Sequence, residues 1–370
     1  MKKATLLFMT IIFVFIGCAD PNLEHPVIED LGMVGVMGFD YIDQDNIKLS
    51  LTLPQPSKDA EEQVQQFTTT VQLPHQAMMD ISTLTEKTLT AAQLRVVLFS
   101  EEFARKRGAM KVLENLYRDP QVGSNIFIAV VKGNVEDILS ATYKDKPEIN
   151  NYINELLTPR TMTAFSPFST IHNFINRNTD EVSDPSVPYL ERVNGDSLKI
   201  TKVAIFKNDQ MVDTLEPEEA KLVEAMKGKK DLPPLSITIP SADGTGEEQF
   251  IMKFTTSDVN VKVNGNLEKP KIFVHLYARG SVVDYDGTRH LSSRKNRFEV
   301  EEDASKHLEQ KVLRALAFFQ ENEVDPIGFG DYFRLYNARG WSKEKWIEAF
   351  SRAEITTHVE VRIVSTGTLK

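Results

Sequence analysis

The sequence has little of what catalytic and metal sites are built from. Its 370 residues include one cysteine, so no internal disulfide can form. Because that cysteine belongs to the N-terminal leader described below, thiol catalysis is excluded as well. The seven histidines are at least fifteen residues apart, at positions 25, 75, 172, 275, 290, 307 and 358. Because no HExxH motif or Cys/His pair occurs, the sequence predicts no metal site and no cofactor.

Positive charge is in deficit, and long apolar runs are absent. Lys and Arg number 43 against 53 Asp and Glu, which gives a formal net charge of -10. Because an acidic surface repels phosphates, we expect no nucleic-acid partner. No segment has eighteen continuous apolar residues, so no membrane-spanning helix is predicted. The length and ordinary composition predict two or three globular domains.

The first eighteen residues form a distinct leader. The chain begins MKK and continues with thirteen largely apolar residues, ATLLFMTIIFVFI (4–16). As a helix this stretch would be about 20 Å long, well short of the ~30 Å hydrocarbon core, which favours a secretory signal over a membrane span.

The leader ends in FIGC (15–18), which resembles a bacterial lipobox. We therefore expect cleavage between Gly17 and Cys18, with an S-diacylglyceryl group and an N-acyl group on Cys18. Since each buried methylene contributes ~0.8 kcal/mol, two acyl chains anchor durably where one does not. The alternative is a plain secretory signal that happens to contain a cysteine.

The first half of the mature chain alternates strands with helices. Segments 28–43, 46–56, 94–100 and 125–133 are predicted strands, and helices are predicted over 101–118, capped by Ser100, and over 135–143. This order is typical of an α/β unit with parallel neighbouring strands. The glycines at 32, 35 and 38 precede no helical pattern, which favours bulges or close strand packing over a phosphate-binding loop.

The second half follows a polar segment, 158–196, that is the predicted domain junction. Beyond it the predicted strands are 197–215 with a turn at Asn208-Asp209, 235–240, 248–256, 259–263, 271–285 and 357–367. The predicted helices are 216–230, 301–323, 327–337 and 341–350.

These elements predict an α/β (α+β) multi-domain protein with mixed β-sheets flanked by helices and an N-terminal lipoprotein signal. We assign the signal peptide to 1–17, an N-terminal α/β domain to 18–190 and a C-terminal α/β region to 191–370. A further split of that region near residue 265 stays open.

Charged and aromatic clusters have a structural and a functional interpretation. Five acid pairs occur, at 61–62, 101–102, 218–219, 247–248 and 301–302. Three of them fall at predicted helix starts, where acids offset the macrodipole, so acid/base catalysis is not favoured.

The basic clusters at 105–107, 227–230 and 294–297 indicate solvated surfaces, or else contact with anionic headgroups. The aromatic residues between 329 and 350 indicate a core, part of which could bind a partner.

Several segments, in the same order, resemble the Ger(x)C family, the lipoprotein C subunits of spore nutrient-germinant receptors. They are IEDLGMVGVMGFD (28–40), LRVVLFSEEFARKRG (94–108) with LENLYRDPQV (113–122), FIAVVKGNVEDILSA (127–141), VAIFKNDQMVDTLEPEEAKLVEAMKG (203–228), DPIGFGDYFR (325–334) with the Trp-rich helix after it, and VEVRIVSTG (359–367).

The resemblance implies a non-catalytic, lipid-anchored receptor subunit that triggers germination with two partners, a multi-pass A subunit and a permease-like B subunit. It implies membrane localisation at the outer face of the inner spore membrane, and a germination-type C-terminal region. The alternative is an anchored extracytoplasmic solute-binding lipoprotein, which would capture a ligand between two lobes.

Overall fold

The structure, a computed structural model, describes residues 28–55, 64–163 and 165–366. The predicted signal peptide and its cleavage site at Gly17 and Cys18 lie outside the described residues. Among the helices that are described, none combines the length and the apolar character needed to cross a membrane.

Ten strands are found among the described residues of the first part of the chain. They are, in chain order, β1 (Leu31–Met33), β2 (Val36–Tyr41), β3 (Ile47–Pro54), β4 (Val64–Val71), β5 (Thr88–Thr90), β6 (Val96–Ser100), β7 (Phe127–Val131), β8 (Ser186–Val193), β9 (Ser197–Lys207) and β10 (Gln210–Leu215). Eight of them form one mixed sheet in the order β10-β9-β8-β7-β6-β2-β3-β4, and β1 pairs with β5 separately.

Six α-helices of the same described ranges accompany these strands. They are α1 (Pro74–Ser82), α2 (Glu101–Lys106), α3 (Met110–Arg118), α4 (Val135–Leu139), α5 (Ile149–Leu157) and α6 (Ile171–Thr179). The neighbours β2, β6, β7 and β8 are parallel, which confirms the predicted α/β unit. Every residue of β6 is buried because hydrophobic side chains cover both faces of the sheet.

The helix predicted over 101–118 is wrong in one respect, because it divides into α2 and α3. Ser100 caps α2 as predicted, accepting a hydrogen bond from the Phe103 amide at 3.2 Å. Gly108 then has a φ of 78°, a left-handed conformation that ends the helix and favours glycine. The Ala109 amide donates to the Asp209 carbonyl at 2.9 Å, so the β9–β10 turn occupies the break.

The three glycines near the start of the described chain lie at close packing contacts, as predicted. A Cβ on Gly35 would lie 2.6 Å from the Asn150 side chain, and one on Gly32 would lie 2.8 Å from Leu89. At Gly38 it would overlap Val135 of α4. These contacts confirm the packing interpretation and explain why larger residues are excluded there.

The second part of the chain forms another sheet under a long helix. Its elements are α7 (Pro217–Met226), β11 (Asp231–Leu232), β12 (Leu235–Pro240), β13 (Glu247–Val263), β14 (Lys271–Asp286), α8 (Arg294–Glu321), α9 (Gly330–Arg334), α10 (Lys343–Ser351) and β15 (Glu354–Ser365). The sheet order is β11-β13-β14-β15, with β12 also paired to β13 and β15 parallel to β14.

Several elements of this part differ from the predictions: β11 was not predicted, and α9 is shorter than the predicted helix 327–337. The strands predicted at 248–256 and 259–263 are one strand, β13, whose register shifts between Lys253 and Thr256. Helix α8 begins at Arg294 rather than Glu301, because Ser293 caps it. The apolar periodicity starts only at Val300, so the polar first turns were not predicted.

The two sheets share a core. One cluster of buried side chains extends from Val131 and Leu190 of the first sheet to Leu276 of the second sheet and Leu308 of α8. The boundary predicted between residues 190 and 191 lies within β8, and β9 and β10 continue the same sheet. The division into domains stays a prediction. The mixed sheets flanked by helices confirm the predicted fold class.

Candidate functional site

The loop between α8 and α9 is organised around a buried carboxylate. Asp325 is fully buried and accepts hydrogen bonds from the amides of Gly328 at 2.8 Å and Gly330 at 3.0 Å. The Trp346 indole of α10 donates to it at 3.0 Å. Burial raises the pKa of Asp325 to about 6, and these hydrogen bonds limit the rise. The Asp325 carboxylate therefore holds the loop against α10, which carries Trp346 and is called the tryptophan helix below.

Asp184, just before β8, connects this loop to the first sheet. Its carboxylate accepts a hydrogen bond from the Asp325 amide at 2.8 Å, and its own amide donates to the Asp325 carbonyl at 3.1 Å. The Lys343 ammonium lies 2.7 Å from the same carboxylate. Asp184 is 1% exposed, so this ion pair is shielded from water on the acid's side. We call Asp184, Asp325, Gly330, Lys343 and Trp346 the junction network.

Further hydrogen bonds join the same two parts of the chain. The Trp341 indole donates to the Glu181 carbonyl at 3.0 Å, and Lys343 donates to the Ser183 carbonyl at 3.1 Å. Arg177 of α6 donates to the Pro326 carbonyl at 3.3 Å. The polar segment 158–196, predicted as a domain junction, therefore packs directly against the C-terminal helices.

Aromatic rings surround the network. The Trp346 ring centroid lies 4.9 Å from that of Phe333 and 5.5 Å from that of Phe350, and all three side chains are fully buried. This confirms the core interpretation for these three rings, but not for Tyr332, which is exposed. Leu335 and Tyr336 of the same segment are exposed by 81% and 69%, so its outer side presents apolar surface to solvent.

A cleft of about 820 Å³ lies beside the junction network. It runs between α6, the end of α7 and the loop before α9, and its lining includes Phe168, Arg177, Ser186, Lys227, Ile327 and Asp331. The Lys227 ammonium lies 3.0 Å from Glu224 and 3.4 Å from the Ser186 hydroxyl. Burial lowers the pKa of Lys227, and Glu224 partly offsets that effect. The cleft thus presents both charge signs to any small polar solute.

A second cavity, of about 640 Å³, lies near the start of the described chain. It is lined by Gly32, Leu53, Lys87, Arg95 and Asn150 among others.

The acid pair at 61–62 lies outside the described residues, and the described pairs have mostly structural roles. Glu101 and Glu218 lie in first turns of helices, as predicted, and pair with Arg105 and Lys221. The helix-start prediction is wrong for Glu301, which lies in the second turn of α8 and binds the Ile363 amide at 2.8 Å.

Glu248, from another of the acid pairs, is buried in an ion pair. It lies 2.7 Å from the Arg289 guanidinium and 2.6 Å from the Tyr285 hydroxyl. Burial alone would raise its pKa, but these hydrogen bonds outweigh burial and lower the pKa to about 2. The pair fixes the loop that follows β14.

The structure brings together three side chains that sequence spacing kept apart. His275 on β14 and His358 on β15 are direct register partners, and Glu360 follows two residues later. Their ligand atoms all lie within 4.8 Å of one another. No local motif marks this cluster in the sequence, because it is created by the parallel pairing of two histidines that lie 83 residues apart. The expectation of no metal site stays a prediction.

Comparisons with known proteins cover almost the whole chain. The model of the spore germination protein N-terminal domain matches residues 24–192. The model described as spore germination B3/GerAC like, C-terminal, matches residues 201–367.

Curated relatives and a solved structure agree with these matches. Spore germination protein GerQC of Bacillus cereus is 23% identical over 99% of both chains. Putative spore germination protein YfkR of Bacillus subtilis (strain 168) is 22% identical over 78% of this chain and 75% of its own. The crystal structure of the GerBC protein superposes with a TM-score of 0.55 and 18% identity, over 89% of this chain and 96% of that one, which supports the fold. The resemblance predicted from the sequence is confirmed: the chain belongs to the Ger(x)C family of spore germination proteins.

Proposed function

We propose that this chain is the non-catalytic, lipid-anchored C subunit of a spore nutrient-germinant receptor. It assembles with the multi-pass A subunit and the permease-like B subunit at the outer face of the inner spore membrane. The observation that carries the proposal is the pair of family matches, in order, over residues 24–192 and 201–367.

The junction network supports a coupling role over an enzymatic one. Asp325 and Trp346 come from the DPIGFGDYFR segment and the helix after it, two of the family-like segments, and they bind each other in the core. The charged and polar groups of the junction network bind one another and connect the two sheets. They do not point into a cleft. A rigid connection of this kind suits a subunit that passes a mechanical signal between partners.

Anchoring rests on Cys18, the single cysteine of the chain. We expect the Cys18→Ala variant to leave the membrane fraction of spores and to lose nutrient-triggered germination, because no diacylglyceryl group can attach to alanine. The measurement is fractionation of spore membranes followed by immunoblotting, with Asn22→Ala as the matched control four residues downstream. If Cys18→Ala stays in the membrane fraction like the control, the anchoring proposal is wrong.

The second candidate is an anchored solute-binding lipoprotein, and the 820 Å³ cleft beside the junction network is the observation that favours it. Calorimetric titration of the full-length chain in detergent micelles with candidate nutrients separates the two. Saturable binding that Lys227→Met abolishes would favour solute capture. Absence of binding to a properly folded chain would favour the coupling role.

A further inference from the structure

The open face of the C-terminal sheet carries an unusual pair of imidazoles. Strands β14 and β15 run parallel, with His275 opposite His358 and Tyr277 opposite Glu360. Residues that alternate with these, such as Leu276 and Val359, are buried toward the core. Because side chains alternate across a strand, the two histidines and Glu360 share the other face, away from that core.

The three side chains converge on one point. The two imidazole centroids are 5.0 Å apart, and His275 Nε2 lies 3.9 Å from a Glu360 carboxylate oxygen. Since all three ligand atoms lie within 4.8 Å of one another, a common point exists at no more than about 2.8 Å from each. Zn–N and Zn–O bonds of about 2.0–2.2 Å would then need shifts below about 1 Å, within the reach of partly exposed side chains.

The hydrogen bonding of His275 is a second, independent observation that points to a ligand site. Its Nε2 atom is buried and has no hydrogen-bond partner among the residues the structure describes. The nearby Glu360 oxygen, at 3.9 Å, is too far for a hydrogen bond. A buried nitrogen without a partner costs free energy, and a metal ion between the two atoms would satisfy both.

Neighbouring groups hold the carboxylate in place. The Arg362 guanidinium donates to the other Glu360 oxygen at 2.9 Å and also pairs with Glu301 at 3.2 Å. Glu360 is therefore oriented through one oxygen while the other faces His275. Outer contacts of this kind position the ligands of metal sites in proteins.

We propose that His275, His358 and Glu360 form a binding site for a divalent transition metal of the zinc class. Two imidazoles and one carboxylate are a ligand set that zinc accepts, whereas Mg²⁺ and Ca²⁺ prefer oxygen ligands throughout. Three protein ligands leave a fourth position for water or for a group from another molecule. This inference does not depend on the proposed function.

The test is calorimetric titration of the full-length chain with Zn²⁺, purified in detergent micelles without a polyhistidine tag. We expect saturable binding at one site, no comparable heat with Mg²⁺ or Ca²⁺, and a visible absorption band when Co²⁺ replaces Zn²⁺. The variants His275→Ala, His358→Ala and Glu360→Gln should each bind at least about tenfold more weakly, since even outer-shell losses typically cost 10–100-fold.

Two variants serve as matched controls. His75→Ala removes an exposed histidine on α1, and Glu354→Gln removes an exposed carboxylate at the start of β15. Both should bind Zn²⁺ like the unaltered chain, and thermal unfolding without metal should show that every variant is folded. The proposal is overturned if the unaltered chain shows no saturable binding, or if the three ligand variants bind as tightly as the controls.

Discussion

Gly330 lies where the loop before α9, the tryptophan helix and the segment before β8 meet. An added Cβ would lie 2.8 Å from Trp346 Nε1, 2.9 Å from Trp346 Cδ1 and 2.9 Å from Val182 Cγ1, all well inside ordinary contact distance. None of these atoms is free to move away. Both side chains are fully buried, and Asp325 fixes the indole by its hydrogen bond.

We therefore expect Gly330→Ala to destabilise the protein. Overpacking of a filled core costs ~1–3 kcal/mol, and the rigid indole favours the upper half of that range. Alanine gains about 0.4–1 kcal/mol from the reduced entropy of the unfolded chain. The expected net loss in the free energy of unfolding is about 1–2 kcal/mol.

Urea unfolding followed by tryptophan fluorescence measures this directly, because both tryptophans, Trp341 and Trp346, belong to this region. The matched control is Gly123→Ala, where an added Cβ meets nothing within 4 Å, so its stability should be unchanged or slightly raised. If Gly330→Ala is as stable as Gly123→Ala, the inference that the junction has no room for an added methyl group is wrong.

Three further predictions concern charged groups. Lys343→Ala should lower the free energy of unfolding by about 3 kcal/mol, since it leaves the buried Asp184 carboxylate without its cation; an unchanged urea midpoint would contradict this. The pKa of Asp325 is about 6 in the folded chain against an ordinary 3.8, so the folded state binds the proton more tightly. Its contribution to stability therefore falls by ~3 kcal/mol as the pH rises through this window, a slope that Asp325→Asn should remove in unfolding titrations. Glu248 has a pKa lowered to about 2, so it stabilises above its unfolded pKa of about 4.5 and loses this effect as the pH falls toward 2. Glu248→Gln should abolish that acid-side loss and destabilise at pH 7 by leaving Arg289 less well paired, and thermal unfolding across pH checks both.

Much of the fold was predictable because its signals are local. The alternation in β15 and the apolar runs of β6 and β7 predict strands, and Ser100 marks a helix start by its own side chain. The break at Gly108 was missed, although a glycine after basic residues is a local signal for a helix end. The packing of Asp209, about a hundred residues later, into that break was not predictable. The early start of α8 was missed because its first turns are polar and give no apolar period.

The candidate site was predictable only as a set of motifs. The DPIGFGDYFR segment and the tryptophans stand out in the sequence, but nothing there pairs Asp325 with Trp346 or Asp184 with Lys343. Those contacts depend on how two sheets pack. The histidine pair depends likewise on the parallel register of β14 and β15, which no spacing rule predicts.

The central claim is that this chain functions as the C subunit within a germinant receptor, and co-purification tests it most directly. An affinity-tagged full-length chain would be isolated from detergent-solubilised inner spore membranes and its partners identified by mass spectrometry. We expect the A and B subunits to elute with it, in a complex that survives a wash at moderate salt. If the A and B subunits purify with each other while the tagged chain elutes alone, the proposed role in the receptor is contradicted.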